Sequence, residues 1–225
     1  MVFLDVGDGT VSAQGIADGK EAFRAKVSFG KISHLKVIGT RLVVSSVTDE
    51  VSVWEIESNG LTLLWRRAEG VPGADLTYDN PNRLLVIWSD LGSEIIIINF
   101  DTGAKIRSIH SKPVSALCTY PRGGIIFVAN GDQLVMHDIN TGKLLTTLTR
   151  PEIGESGIAF SPDDNTVAIG TSRGIELWRR DIGARERTVN TTEALNVSDF
   201  LDFQNILAFN NRVVSSISLA GAGKE

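Results

Sequence analysis

Short apolar runs recur along the chain, each a few residues long and each bounded by Gly, Asp, Asn or Pro. Examples are Val51–Glu57 (VSVWEIE), Glu94–Phe100 (EIIIINF), Gln133–Ile139 (QLVMHDI) and Gly174–Arg180 (GIELWRR). They are rich in Val, Ile, Leu and Thr, the composition of residues that sit on pleated, half-buried surfaces. No stretch longer than a turn or two repeats its apolar positions with helical spacing. The pattern predicts an all-β chain of short strands.

The runs are periodic. A tight-turn signature follows each of them: Ala17–Lys20 (ADGK), Ser58–Leu61 (SNGL), Asp101–Lys105 (DTGAK), Asn140–Lys143 (NTGK) and Asp181–Arg185 (DIGAR). The glycines at 19, 60, 103, 142 and 183 are 41, 43, 39 and 41 residues apart. Another run follows each turn, and two more lie upstream, such as Arg41–Val47, Arg83–Ser89, Gly124–Asn130 and Thr166–Ser172. Four short strands per forty residues, with a Gly-bearing hairpin before the last, describe a β-propeller built of four-stranded antiparallel blades.

On these residues the chain resembles WD-repeat propellers, in degenerate form. The slots that would hold the Trp-Asp pair read Trp54-Glu55, Ile98-Asn99, His137-Asp138 and Trp178-Arg179, and the Gly-His pair that opens such repeats is missing. Gly157–Gly183 is the best single match, and Gly7–Val11 (GDGTV) matches the turn between second and third strands. The runs Gly9–Arg24 and Gly60–Arg66 also look like quinoprotein-type propeller repeats. The resemblance implies a rigid disc whose loops bind partners.

The division expected is a single domain, 1–225, with full blades at 30–69, 70–110, 111–150 and 151–190. Partial blades of three strands fall at 1–29 and 191–225. That is five to six blades. Three arrangements fit: six blades of which two have three strands, five with one terminal strand displaced, or an open arc completed by another polypeptide or by more of a longer product. The tail Ala220–Glu225 reads as frayed.

Composition narrows the function classes. The formal charge is −5, opposite in sign to a phosphate-gripping domain, which weighs against nucleic acid as a direct ligand. The single cysteine, Cys118, allows no intrachain disulfide and reads as a small buried hydrophobe. The first residues lack a basic segment and a long apolar segment, and no apolar run is long enough to span a bilayer as a helix. The expectation is a cytoplasmic protein, with the nucleus as an alternative, neither secreted nor inserted in a membrane.

Candidate chemistry is sparse. His137–Lys143 (HDINTGK) lacks the upstream glycine, the Ser or Thr after lysine and the following helix of a phosphate loop, so it reads as a hairpin. His34, His110 and His137 have no metal-ligand spacing. No metal or cofactor is expected. The turns between second and third strands carry Asp8, Asp49, Asp90 and Asp132, which would lie on one face of a propeller. Trp88 and Arg173 lie near the same face. These six form the candidate partner-binding face. Against that reading, Asp in such turns caps its own backbone, and Trp88 suits core packing. Trp54 and Trp178 read as inter-blade packing, and the Arg179, Arg180, Arg185 and Arg187 cluster as solvated surface or an acidic partner's dock. The function expected is a non-enzymatic interaction scaffold, binding through that face or by strand addition at an open edge. The alternatives are a quinoprotein-like enzyme or cofactor-binding propeller, and a part of a larger ring completed by a partner.

Overall fold

A computed structural model of the chain describes residues 2–68, 75–88, 93–120, 122–130, 133–149, 157–161, 165–171, 174–179, 184–190, 196–200, 205–209 and 214–218. All regular structure among them is strand. In chain order the strands are β1 (Val2–Gly7), β2 (Thr10–Gln14) and β3 (Glu21–Lys26), which form a three-stranded sheet; β4 (Ile32–Ile38), β5 (Arg41–Ser46), β6 (Glu50–Ile56) and β7 (Leu61–Ala68), which form a four-stranded one; and β8 (Asp75–Asp79), β9 (Leu84–Trp88), β10 (Glu94–Asn99) and β11 (Lys105–His110), which form another. Then follow β12 (Ala116–Thr119), β13 (Ile125–Asn130), β14 (Gln133–Asp138) and β15 (Leu144–Thr149); β16 (Ile158–Phe160), β17 (Thr166–Thr171), β18 (Gly174–Arg179) and β19 (Ala184–Asn190); and the three-stranded set β20 (Asn196–Phe200), β21 (Asn205–Phe209) and β22 (Val214–Ser218). Each sheet pairs its strands in sequence order. This is the up-and-down antiparallel blade that the forty-residue period predicts. The chain separates into two compact units, residues 1–78 with 83–109, and residues 79–82 with 110–225.

Continuous apolar runs arise because the second and third strands of a blade are covered on both faces. In the first unit, Leu42 and Val44 of β5 join a cluster with Val11, Val27, Ile32 and Trp54. Val43, between them, joins a different cluster with Leu85, Ile87, Ile96 and Ile98. Alternate side chains of one strand thus serve two sheet-to-sheet cores. In the second unit Phe127 and Ala129 of β13 pack with Ile158, Phe160, Val167, Ile169 and Trp178. Phe160 meets Tyr120 and Phe127 with ring centroids 5.4 and 4.8 Å away. Each fully buried Ile or Leu stabilises by roughly 1.5–3 kcal/mol.

The repeated turn has a common chemistry. Asn99 Oδ1 accepts from Thr102 N at 2.9 Å and Thr102 Oγ1 at 3.0 Å, and Gly103 N donates to Asn99 O at 2.9 Å. Asp138 Oδ1 accepts from Thr141 N at 2.7 Å and Thr141 Oγ1 at 2.9 Å, and Gly142 N donates to Asp138 O at 2.8 Å. Gly103 and Gly142 have φ of 71° and 74°, which an L side chain resists. The second residue of the Trp-Asp slot is therefore a turn cap, and Asn serves as well as Asp. His137 belongs to this hairpin, with Nδ1 3.3 Å from Gly142 O.

A register shift recurs at the first residue of the slot, between Val53 and Trp54, Met136 and His137, and Leu177 and Trp178. A bulge of this kind re-aims the side chain it carries. The indole N–H of Trp54 donates to Ser52 Oγ, and that of Trp178 to Glu176 Oε2, each at 2.9 Å. Both tryptophans are buried.

Candidate partner-binding face

Three of the six candidate residues, Asp8, Asp49 and Trp88, are among the described residues, while Asp90, Asp132 and Arg173 lie outside them. Of the arginine cluster, Arg180 lies outside them, as do the chain's last residues, 219–225.

Asp8 and Asp49 occupy equivalent turns, β1 to β2 and β5 to β6, with φ of 51° and 74°. Asp tolerates the left-handed region better than most side chains, so turn geometry accounts for aspartate at both positions. Asp8 is exposed and Asp49 half-buried. Trp88 departs from the surface-anchor reading. It is 5% exposed, at the end of a strand whose residues are all buried. A ring covered to that degree cannot anchor a partner, and its core-packing alternative describes it.

The geometry between the two Asp turns is built on close approach. Gly9 has φ of 71°, and a Cβ there would overlap Ser28 O and Gly30 O. Its carbonyl accepts from Val27 N at 2.9 Å and Ser28 N at 3.1 Å, which fastens the β3–β4 connection to the first turn. The second turn is held by Ser46 Oγ, which accepts from Thr48 N at 3.3 Å and Glu50 N at 3.1 Å. A Cβ on Gly30 would meet Thr48 Oγ1 at 2.7 Å. The two turns and the connection thus form one fixed patch in the first unit.

At its centre stands Phe29, 83% exposed. The Arg66 guanidinium lies 5.0 Å from the Phe29 ring centroid and 5.5 Å from that of Trp54. Arg66 Nη2 donates to Val27 O at 3.1 Å, and its Nε is 3.4 Å from Glu50 Oε1. The arginine is held by groups on two segments, the β3–β4 connection and β6, so the phenyl ring rests on a cation that is itself anchored. The sequence reading missed Phe29. Its signal was available as a bulky aromatic between Ser28 and Gly30, in a connection with no neighbouring apolar residue on its C-terminal side.

The opposite end of the first unit is an ion-pair network. Asp101 accepts from Arg83 Nε at 2.6 Å and Arg41 Nη1 at 2.7 Å, and Arg41 Nε also reaches Glu55 Oε2 at 3.2 Å. The hydrogen bonds from Arg83 and then Arg41 hold the Asp101 carboxyl well below the usual carboxylate range. In the second unit, Asp79 is buried and accepts from Asn82 Nδ2 at 2.9 Å and Gly124 N at 3.2 Å. Among the described residues no three His, Cys, Asp or Glu side chains are grouped to hold a metal. No helix among them is long and apolar enough to cross a membrane.

No family model matches the chain. Over 119 residues, 52% of its length, it is 30% identical to Protein NEDD1 of Homo sapiens, a WD-repeat protein, and 29% identical to that of Bos taurus. The match covers 17% of each of those proteins, so the chain spans a small part of their length. Among solved structures it superposes on Sqt1 of Saccharomyces cerevisiae with a TM-score of 0.76 and 18% identity, over 97% of this chain and 68% of that one. It superposes equally, at 0.76 and 16% identity, on the dihydro-heme d1 dehydrogenase NirN in complex with DHE, over 99% of this chain and 52% of that one. The fold is that of a WD-repeat-like β-propeller.

Proposed function

We propose that the chain is a non-enzymatic scaffold that binds other proteins through the loop end carrying Asp8, Phe29 and Asp49, with Asp90, Asp132 and Arg173 extending the same face by repeat position. The observation that carries the reading is Phe29, exposed at 83% yet fixed over Arg66 within a patch of tight backbone approaches. An aromatic held rigid in water loses little further freedom on binding, which is the property of an interface anchor. The acidic turns around it favour a partner surface that offers Lys or Arg. The similarity to WD-repeat proteins supports a binding role. The same proposal takes residues 1–225 as one propeller domain, in the cytoplasm or nucleus, able to accept a strand at an open sheet edge. A single cooperative transition by calorimetry is the expected sign of one domain.

The test is capture from the native source, with wild type and the Phe29→Ser and Asp8→Lys variants compared at equal fold content by circular dichroism. A stoichiometric protein lost with both variants is expected. Capture indifferent to both, or a copurifying chromophore with no macromolecular partner, would overturn the proposal.

A further inference from the structure

The turn glycines at 19, 60, 103 and 142 are not chemically alike. Gly19, Gly103 and Gly142 have positive φ, and each donates its backbone N–H into its own hairpin: to Gly15 O at 2.9 Å, to Asn99 O at 2.9 Å and to Asp138 O at 2.8 Å. Gly60 departs from all three. Its φ is not left-handed, and nothing lies within 4 Å of the place a Cβ would take. Among the described residues its amide donates no hydrogen bond, and only its carbonyl is used, accepting from Glu57 N at 3.0 Å. The residue before it is Asn59, exposed in the loop between β6 and β7.

An Asn-Gly peptide carries its own electrophile and its own nucleophile. The Gly60 nitrogen, on losing its proton, attacks Asn59 Cγ. The new C–N bond closes a cyclic imide, and the side-chain nitrogen leaves as ammonia. Water then opens the ring at one carbonyl or the other. The product is aspartate, or isoaspartate where the chain now runs through the side-chain carbon. No oxidant and no cofactor enters. A folded protein opposes this step in two ways: a side chain on the following residue obstructs closure, and a hydrogen bond holds the amide proton and its peptide plane. Glycine removes the first obstacle at every one of these turns, and at Gly60 the second is missing as well. The chain's other Asn-Gly pair begins at Asn130, which is 3% exposed and donates from Nδ2 to Ser111 Oγ at 3.2 Å. Its carboxamide is held and kept from water.

We propose that Asn59 is a self-modifying site, converting in the folded chain through a succinimide to aspartate and isoaspartate and turning a neutral hairpin tip acidic. The hairpin survives the change because pairing resumes directly below it, with Ile56 opposite Leu61 and Glu55 opposite Thr62. Thr62 Oγ1 also donates to Glu57 Oε1 at 2.6 Å across the base of the loop. The new carboxylate stands near Glu57 and makes the formal charge of −5 more negative by one unit. This tip is at the end of β6 away from Asp49, so the patch around Phe29 is left as it was, and the inference stands apart from the scaffold reading.

The test is ageing of the purified full chain at mildly alkaline pH. The tryptic peptide 42–66 is followed by mass spectrometry, with fragmentation that separates aspartate from isoaspartate. Conversion at Asn59 is expected, with ammonia released, faster as pH is raised, and at constant circular dichroism; Asn130 stays intact. Asn59→Gln abolishes the reaction and Gly60→Ala slows it. The deciding variant is Asp18→Asn, which puts a second Asn-Gly in an exposed turn whose glycine amide is held by Gly15 O. Opening that hydrogen bond should make the new asparagine about two- to tenfold slower than Asn59 in the folded chain, and the difference should vanish in urea. No conversion at Asn59 in the folded chain, or conversion no faster than at the Asp18→Asn turn or at Asn130, overturns the proposal.

Discussion

Replacing the repeat's turn glycines by alanine gives a graded series, because the same sequence signal sits in three environments. Gly60 has open space around its missing side chain and no left-handed φ. Gly19 has open space but φ of 65°. Gly103 has φ of 71°, and a Cβ there would sit 2.7 Å from Trp65 Cδ2 and 2.8 Å from Cγ. Carbon atoms rest comfortably at about 3.5–4.0 Å, so this overlap must be relieved by movement. The indole cannot move cheaply: it is buried, and its Nε1–H donates to Phe100 O at 2.9 Å. Gly60→Ala is expected within about 0.5 kcal/mol of wild type, as for a surface substitution. Gly19→Ala costs about 1–2 kcal/mol for a left-handed alanine. Gly103→Ala adds about 1–3 kcal/mol of overpacking to the same strain, about 2–5 kcal/mol in all. Urea unfolding followed by far-UV circular dichroism reads these as midpoint shifts at constant slope. Placing Gly103→Ala in a Trp65→Leu background should shrink its penalty toward that of Gly19→Ala, since the two positions share one contact. If Gly103→Ala costs no more than Gly19→Ala, or its penalty is unchanged without the indole, the close-approach argument is wrong.

Other expectations are simpler. Asp101→Asn should destabilise at pH 7 by about 1 kcal/mol or less, because the network is partly exposed and screened, and less still in high salt. Its folded-state pKa is depressed, so wild type holds this advantage above the ordinary aspartate range near 3.8 and loses it as pH falls further; the two proteins should converge in acid urea titrations. Burial pushes the thiol of the half-buried Cys118 up, so at pH 8 it should react with a thiol-disulfide reagent far more slowly than the same thiol in unfolded protein. Rapid labelling of native protein would contradict that. Asp138→Ala should cost about 1 kcal/mol through two lost turn hydrogen bonds, whereas Asp138→Asn should be nearly neutral, since Asn99 caps the equivalent turn.

The strands were legible because burial on two faces leaves long apolar runs, and the turns because Gly103 and Gly142 cannot readily be replaced where φ is positive. At those positions the glycine period reported geometry directly, whereas Gly60 carries the same signal without a left-handed φ. The bulge at Trp54, His137 and Trp178 was invisible, since a register shift depends on the partner strand and leaves no residue of its own. The binding face was only partly legible. Asp8 and Asp49 were found through turn position, but that position also explains them structurally. Trp88 was ambiguous because a single aromatic at a strand end carries no sign of which side covers it. Phe29 was overlooked because its exposure is set by Arg66, which lies 37 residues away in sequence.

Arg41 opens the strand before the Asp turn in the second sheet and Arg83 immediately precedes the matching strand in the third, and both reach for the single carboxylate of Asp101. Arg41 keeps an acid of its own sheet as well, Glu55, whereas Arg83 bonds Asp101 through both Nε and Nη2. Sharing one carboxylate couples the second and third sheets: exchanging the third alone would strip Arg41 of a partner contributed from outside its own sheet. A repeat swapped into the third position would therefore have to bring an acid to the place of Asp101 to keep the second sheet's Arg41 doubly paired.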